Sequence, residues 1–219
     1  ADFDPGPGVT SLISAGATDI FICKLNSNGN LEWAKRIGGA SADVAFDIDL
    51  DAQNNVYSAG FYFATVDFDP GSGIFNLTSA ALGDGYILKL NNSGGFMNAA
   101  SLVSSSRVRC SSLKLDKTGH VYVAGHFDGA ADFDPGAGTW LLNSPVDDDD
   151  IFIGKYDLNL NLVWVKQIGG PSFQKVFDIE TDAADNIYTT SHYNVTADFD
   201  AGHAEKKLTA LGDPDIFVL

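Results

Sequence analysis

The feature that most limits what this chain can fold into is an internal repeat with a period of about 65 residues. The segments ADFDPGPG (1–8), VDFDPGSG (66–73), ADFDPGAG (131–138) and ADFDAGHA (197–204) recur along it. Their first aspartates are Asp2, Asp67, Asp132 and Asp198, a constant spacing but for one extra position in the last interval. The rest of the chain keeps that register. TDIFICKLNSNGNLEWAKRIGG (18–39) matches DDIFIGKYDLNLNLVWVKQIGG (149–170), with GDGYILKLNNSGG (83–95) and PDIFVL (214–219) as the other copies. DLDAQNNVYSAG (49–60), KLDKTGHVYVAG (114–125) and ETDAADNIYTTS (180–191) align in the same way. Self-similarity at a fixed period marks one supersecondary unit stacked on its neighbours.

Each unit holds four strand-like segments. In the first copy these are IFICKL (20–25), LEWAKRI (31–37), VAFDIDL (44–50) and VYSAGFYF (56–63), separated by turns rich in Asn, Asp and Gly. The apolar residues recur with a period of two, and no helical period is sustained. The chain is all-β. A four-stranded meander with apolar residues on both faces needs a neighbour on each face, which the radial stacking of a β-propeller supplies. A parallel β-helix competes, but its coils are usually shorter than this period. The expectation is β-propeller-type four-stranded blades, three complete repeats plus part of a fourth. The divisions are 1–18, a partial repeat; 19–83, 84–148 and 149–214, each a blade plus a DFDPG crossing segment; and 215–219, the inner strand of a fourth blade. Three blades do not close a ring, since propellers carry about 4–8. The expectation is therefore a chain that continues, or copies that associate.

Composition narrows the partners. With 13 basic and 29 acidic residues the formal charge is −16, which disfavours nucleic acid and anionic membrane surfaces. No apolar run approaches the roughly 20 residues of a membrane-spanning helix. Cys23 and Cys110 fall at non-equivalent repeat positions and read as free thiols rather than a disulfide.

The pattern D-x-F-[IV]-x-K-L-[ND]-x-x-G-N-L-x-W-x-K-x-x-G-G, followed by D-x-x-x-N-[VI]-Y-x-x-G, resembles the SBBP repeat family of bacterial β-propellers. The first copy carries it through Asp19, Phe21, Lys24, Leu25, Gly29, Trp33, Gly38, Gly39, Asp51, Asn55, Tyr57 and Gly60. The second copy departs, with Asn98 at the Trp position, and the third has Ser191 at the final Gly. The resemblance implies a large secreted or surface protein, hence an extracellular or cell-surface location.

Two readings of DFDPG stand side by side. In the first it is an Asp-capped turn with Phe3, Phe68, Phe133 and Phe199 as packing anchors, and with Pro-Gly at the corners of a type II turn. In the second it is a calcium site, because Ca²⁺ takes six to eight oxygens and alternate aspartates with Gly bends supply them. The candidate ligands are Asp2, Asp4, Asp67, Asp69, Asp132, Asp134, Asp198 and Asp200. Asp19, Asp84, Asp150 and Asp215, each opening the strand that follows its DFDPG segment, complete the set. Ala201 replaces Pro in the fourth copy, which should make that site the weakest.

Other chemistry is thinner. Lys24, Lys89 and Lys155 recur and are expected to pair with the repeated aspartates. His126 and His192 are equivalent, His120 and His203 have no equivalents, and no zinc spacing is present. Trp33 and Trp164 read as inter-blade core. No nucleophile elbow or P-loop appears, and a catalytic pair should break a symmetry that these aspartates obey. The function expected is a non-enzymatic repeat scaffold with a protein or polysaccharide partner at the cell surface. A carbohydrate-binding propeller, hinted at by Tyr62, His126 and Tyr193, and an extracellular enzyme domain are the alternatives.

Overall fold

The computed structural model describes residues 1–79, 82–200, 202, 205–212 and 214–219. Every named element in them is a β-strand. The chain opens with β1 (Ile20–Leu25) and β2 (Leu31–Ile37), a hairpin that ends at Gly38-Gly39. Next come β3 (Val44–Leu50), β4 (Val56–Tyr62), the short β5 (Thr65–Asp67) and β6 (Asn76–Thr78), then β7 (Asp84–Leu90) and β8 (Phe96–Ser104). After these come β9 (Arg107–Leu115), β10 (His120–Asp132), β11 (Leu141–Ser144), β12 (Asp150–Asp157) and β13 (Leu162–Ile168). The last are β14 (Gln174–Thr181), β15 (Ile187–Tyr193), β16 (Thr196–Asp198), β17 (Lys207–Thr209) and β18 (Asp215–Val218).

The pairings group these strands differently from the reading by copies. Strand β4 pairs with β7 from Val56↔Leu90 to Tyr62↔Asp84, which gives the order β3-β4-β7-β8. The next four-stranded set is β9-β10-β12-β13, and a third runs β14-β15-β18. IFICKL and its copies are thus third strands, not inner ones. The expectation that DFDPG carries the chain from one blade to the next is corrected here. It forms a hairpin inserted between the second and third strands of a single blade, β5-β6, the end of β10 with β11, and β16-β17. The passage between blades is the short run that follows Gly38-Gly39 or its equivalent.

The inserted hairpin does reach the neighbouring blade, by a different route. Ala131 and Asp132 of β10 pair with Ser104 and Val103 at the end of β8 in the preceding blade. One copy later, the Asp198 amide donates to Gly169 O at 3.0 Å, just beyond β13. These two hairpins therefore clasp the outermost strand of the blade before them, and Thr65 of β5 lies against Gly39 in the same place. The double glycine of the IGG motif follows from that. A β-carbon at Gly38 would lie 2.5 Å from the Asp19 carboxyl carbon, and one at Gly39 would lie 2.3 Å from Thr65 O. Gly169 and Gly170 stand in the same relation to Asp150 and Thr196. The first glycine admits the aspartate that opens the third strand, and the second admits the clasp.

Apolar layers fill the gaps between successive sheets. Ile20, Ile22 and Ile37 meet Tyr86, Leu88 and Leu90 in one. Tyr57, Ile87 and Leu102 meet Leu113, Val123 and Phe152 in the next, and Ile151 and Ile153 meet Val176 and Ile179 in the third. Trp33 and Trp164 pack against the first and third of these layers, as inter-blade residues. Cys110 is buried and Cys23 exposed, both as free thiols.

Candidate functional site

The four DFDPG turns share one hydrogen-bond pattern. Asp2 Oδ1 accepts from the amides of Asp4 (3.1 Å) and Thr10 (2.9 Å). Asp67 Oδ1 accepts from Asp69 (3.0 Å) and Phe75 (2.8 Å), Asp132 from Asp134 and Trp140, and Asp198 from Asp200 and Lys206. The second aspartate caps its own corner. Asp4, Asp69, Asp134 and Asp200 accept from Gly6, Gly71, Gly136 and Gly202 at 2.7–2.8 Å. Backbone donors of this kind hold Asp2 and Asp198 below the ordinary carboxylate range. A backbone bond completes each turn, from the Phe3, Phe68, Phe133 and Phe199 amides to Thr10 O, Phe75 O, Trp140 O and Lys206 O.

The type II expectation is corrected by the same geometry. None of Gly6, Gly71 and Gly136 has the left-handed φ that a type II corner demands. Their amides bind the second aspartate instead, and the glycines two residues on make room for the same carboxylate. A β-carbon at Gly8, Gly73 or Gly138 would fall 2.1–2.2 Å from Oδ2 of the second aspartate. The phenylalanines are anchors as expected. Phe68 lies 5.3 Å from Tyr62 and 5.1 Å from Tyr86, and Phe133 lies 5.2 Å from Phe127 and 4.6 Å from Phe152. Phe199 repeats this with Tyr193 and Phe217, and Phe3 stacks on Phe21. Ala201 and His203 lie outside the described residues.

The remaining proposed ligands bind partners of their own. Asp19 accepts from the Ala15 amide and from Ser14 Oγ, and pairs with Arg36 at 2.6 Å. Asp215 accepts from the Leu211 amide at 2.7 Å, Asp84 from the Ser104 amide at 3.1 Å, and Asp150 from Gln167 Nε2 and the Gly170 amide. Burial pushes Asp150 up from its ordinary value against those donors. Among the described residues, no three acidic, histidine or cysteine side chains converge as a metal's ligands would. The carboxylate oxygens of these turns are engaged as backbone caps.

Two smaller expectations are corrected. The repeated lysines do not pair with the DFDPG aspartates. Lys24 pairs with Glu32, Lys89 donates to Leu158 O at 2.9 Å, and Lys155 lies 3.9 Å from Asp116. Tyr62 and Tyr193, offered as sugar platforms, are buried under the DFDPG phenylalanines. His120 has a structural part. It stands where Asn55 and Asn186 stand in the other copies, and its Nδ1 meets Asp116 Oδ2 at 3.0 Å as their side-chain amides meet Asp51 and Asp182.

Sequence reasoning missed the polar set on the inner strands. β3, β9 and β14 lie side by side, each with a bulge at the same height. Asp47 Oδ2 accepts from Ser112 Oγ at 2.6 Å and from the Leu113 amide at 2.9 Å, while Asp178 Oδ1 lies 3.2 Å from the same hydroxyl. Asp49 Oδ2 accepts from the Leu115 amide, and Lys114 sits between Asp49 (3.6 Å) and Glu180 (3.4 Å). The acids recur at one period, and the middle copy replaces them with Ser112 and Lys114. That alternation was readable from the aligned copies once the inner strands were known.

Above this set, at the start of β9, lies a group of cations. Arg107 is held by Asp149 (3.0 Å) and Asp128 (3.5 Å). The Arg109 guanidinium lies 3.8 Å over the Phe61 ring. His126, named with the carbohydrate-binding alternative, lies partly buried among them with Nδ1 3.4 Å from Ser111 Oγ. Burial pushes it down to about 4, with Lys175, Arg109 and Arg107 adding to the effect.

No family model matches the chain. Over 191 residues it is 24% identical to an uncharacterized WD repeat-containing protein of Acanthamoeba polyphaga mimivirus, an alignment that covers 77% of this chain and 14% of that protein. A repeat relative, consecutive four-stranded antiparallel sets and inner strands laid side by side agree on one architecture. The sheets are β-propeller blades. The chain thus spans a small part of that relative's length.

Proposed function

We propose that this chain is a non-enzymatic segment of a repeat scaffold that presents its loops to a protein partner at the cell surface. The observation that supports the reading most is where the repeated carboxylates go. Asp2, Asp67, Asp132 and Asp198 close turns, while Asp47 and Asp49 accept from the next inner strand. Residues that obey the repeat serve the repeat, which leaves recognition to positions that break it. The resemblance to SBBP repeats supports the surface location, and the WD repeat-containing relative supports an interaction module. The reading does not call on calcium.

Crosslinking mass spectrometry of the full-length protein on its native cells tests it. The scaffold reading expects protein–protein crosslinks through exposed loop residues. Saccharide binding on a glycan array, or turnover of a glycosidic or ester substrate, would overturn it.

A further inference from the structure

The positions that break the repeat gather at one place. In a chain of formal charge −16, Arg109 and Lys175 join no ion pair among the described residues. They are equivalent by register, since Arg109 pairs across from His126 in β9–β10 and Lys175 pairs across from His192 in β14–β15. Val44, opposite Phe61, holds that position in β3. The two cations therefore stand at one height on adjacent inner strands, with His126 within electrostatic reach of both.

Their surroundings differ from copy to copy in a directed way. The bulge residue is Phe46 in β3 and Phe177 in β14, and both rings are more than half exposed. Between them β9 carries Ser111, whose hydroxyl contacts His126. Phe46 packs on Phe61 and Phe177 on His192, so the two rings have fixed supports. The face of the Arg109 guanidinium is covered by Phe61, which leaves its N–H edge as the reactive part. Burial and the neighbouring Arg107 charge push Arg109 below its ordinary value, and no carboxylate among the described residues forms an ion pair with it. A planar fork of donors, a point cation and a hydroxyl between two phenyl rings match a carboxylate with apolar neighbours.

We propose that Arg109, Lys175 and Ser111 form a binding site for a carboxylate side chain on an acidic, aromatic-flanked peptide segment of a partner protein, with Phe46 and Phe177 taking its apolar neighbours. This rests on the scaffold reading and names the partner's chemistry. The acids nearest the site, Asp149 and Asp128, are paired with Arg107, and more distant acids oppose such a ligand only weakly at physiological salt, where screening sets in beyond about 8 Å.

The test is an NMR titration of the full chain with the peptide acetyl-Phe-Glu-Glu-Phe-amide, read at the Arg109 side-chain N–H and the Ser111 amide. Saturable shifts are expected, with binding at least tenfold weaker in Lys175→Gln and lost when both Glu of the peptide are Gln. Arg109→Gln should abolish binding; because it also uncovers Phe61, Lys175→Gln carries the decision if that variant misfolds. Shifts that are absent, or unchanged in Lys175→Gln, overturn the site. Inorganic phosphate binding as tightly as the peptide overturns the assignment to a peptide carboxylate. Glycan binding elsewhere with an intact peptide titration would sink the scaffold reading and leave this site standing.

Discussion

The Ser112 hydroxyl donates to Asp47 Oδ2 across 2.6 Å, joining the middle inner strand to the one before it. The repeat would place an acid at that position, as it does at Asp47 and Asp178. Ser112→Asp would bring three carboxylates together, so the variant should be less stable by about 1–3 kcal/mol at neutral pH. The penalty should lift on acidification as the cluster takes up a proton. Ser112→Ala, which leaves the Leu113 amide on Asp47, should cost only about 1 kcal/mol. Urea denaturation at pH 7 and pH 4.5 separates the two variants.

His126 should make the domain acid-sensitive in a defined window. Its pKa falls from 6.5 to about 4 on folding, chiefly through burial. The unfolded chain then binds more protons than the folded one between those values, so stability rises with pH across them. The contribution is full above the unfolded value and is lost as pH falls through the window. It amounts to about 2 kcal/mol between pH 7 and pH 5. His126→Phe, the residue of the first copy at Phe61, should flatten that slope in a series of melts.

The turn and calcium readings of DFDPG part on one pair of substitutions. Asp67→Asn with Asp69→Asn keeps an oxygen for each amide, so the loss should be small, about 0.5 kcal/mol at most on the cap scale. Asp67→Ala removes the acceptor for the Asp69 and Phe75 amides and should cost about 1–2 kcal/mol. Melting temperature should be unchanged between EDTA and millimolar calcium. A calcium-dependent rise, abolished by the double Asn variant, would assign the metal to these turns.

Gly125 should tolerate no side chain. A β-carbon there would lie 2.0 Å from Arg109 O, as one at Gly60 would from Val44 O at 1.9 Å. Both carbonyls belong to the bulged inner strand. Gly125→Ala should therefore unfold the chain or cost more than about 3 kcal/mol, as overpacking and backbone displacement combine. The third copy has Ser191 at this position, buried and with its hydroxyl unbonded among the described residues. Ser191→Gly should accordingly be neutral or stabilising in the same denaturation assay.

His120→Asn offers a check on repeat equivalence. The substitution restores the side-chain amide that Asn55 and Asn186 use, so stability at pH 7 should change by less than about 0.5 kcal/mol. His120→Ala leaves Asp116 Oδ2 without this donor and should cost about 1 kcal/mol. Matched melts of the two variants decide it.

Periodicity carried the strands and their turns, because side-chain alternation and Gly/Asn punctuation are local properties. It did not carry the phase. A repeat has no beginning in the sequence, and the strongest match, starting near Asp19, lies at a third strand. The hydrogen bonds between Val56–Tyr62 and Asp84–Leu90, and their equivalents in the next two blades, reveal that a DFDPG hairpin interrupts a blade. The turn aspartates were legible as caps, but not their glycine partners, whose role is room for a carboxylate rather than a left-handed corner. The inner-strand set of Asp47, Ser112, Lys114 and Asp178 was legible in composition alone. Its meaning needed the three strands side by side.

The clasp between each DFDPG hairpin and the preceding blade bears on how such a chain can grow. The four-stranded sets draw their strands from two successive copies of the repeat unit, as β3-β4 and β7-β8 do. Recombination between any two equivalent points therefore adds or removes a whole period and leaves each sheet with its full complement of strands and its clasp. The break need not fall at a structural boundary. A gene built this way can change its length by unequal exchange at almost any codon of the repeat.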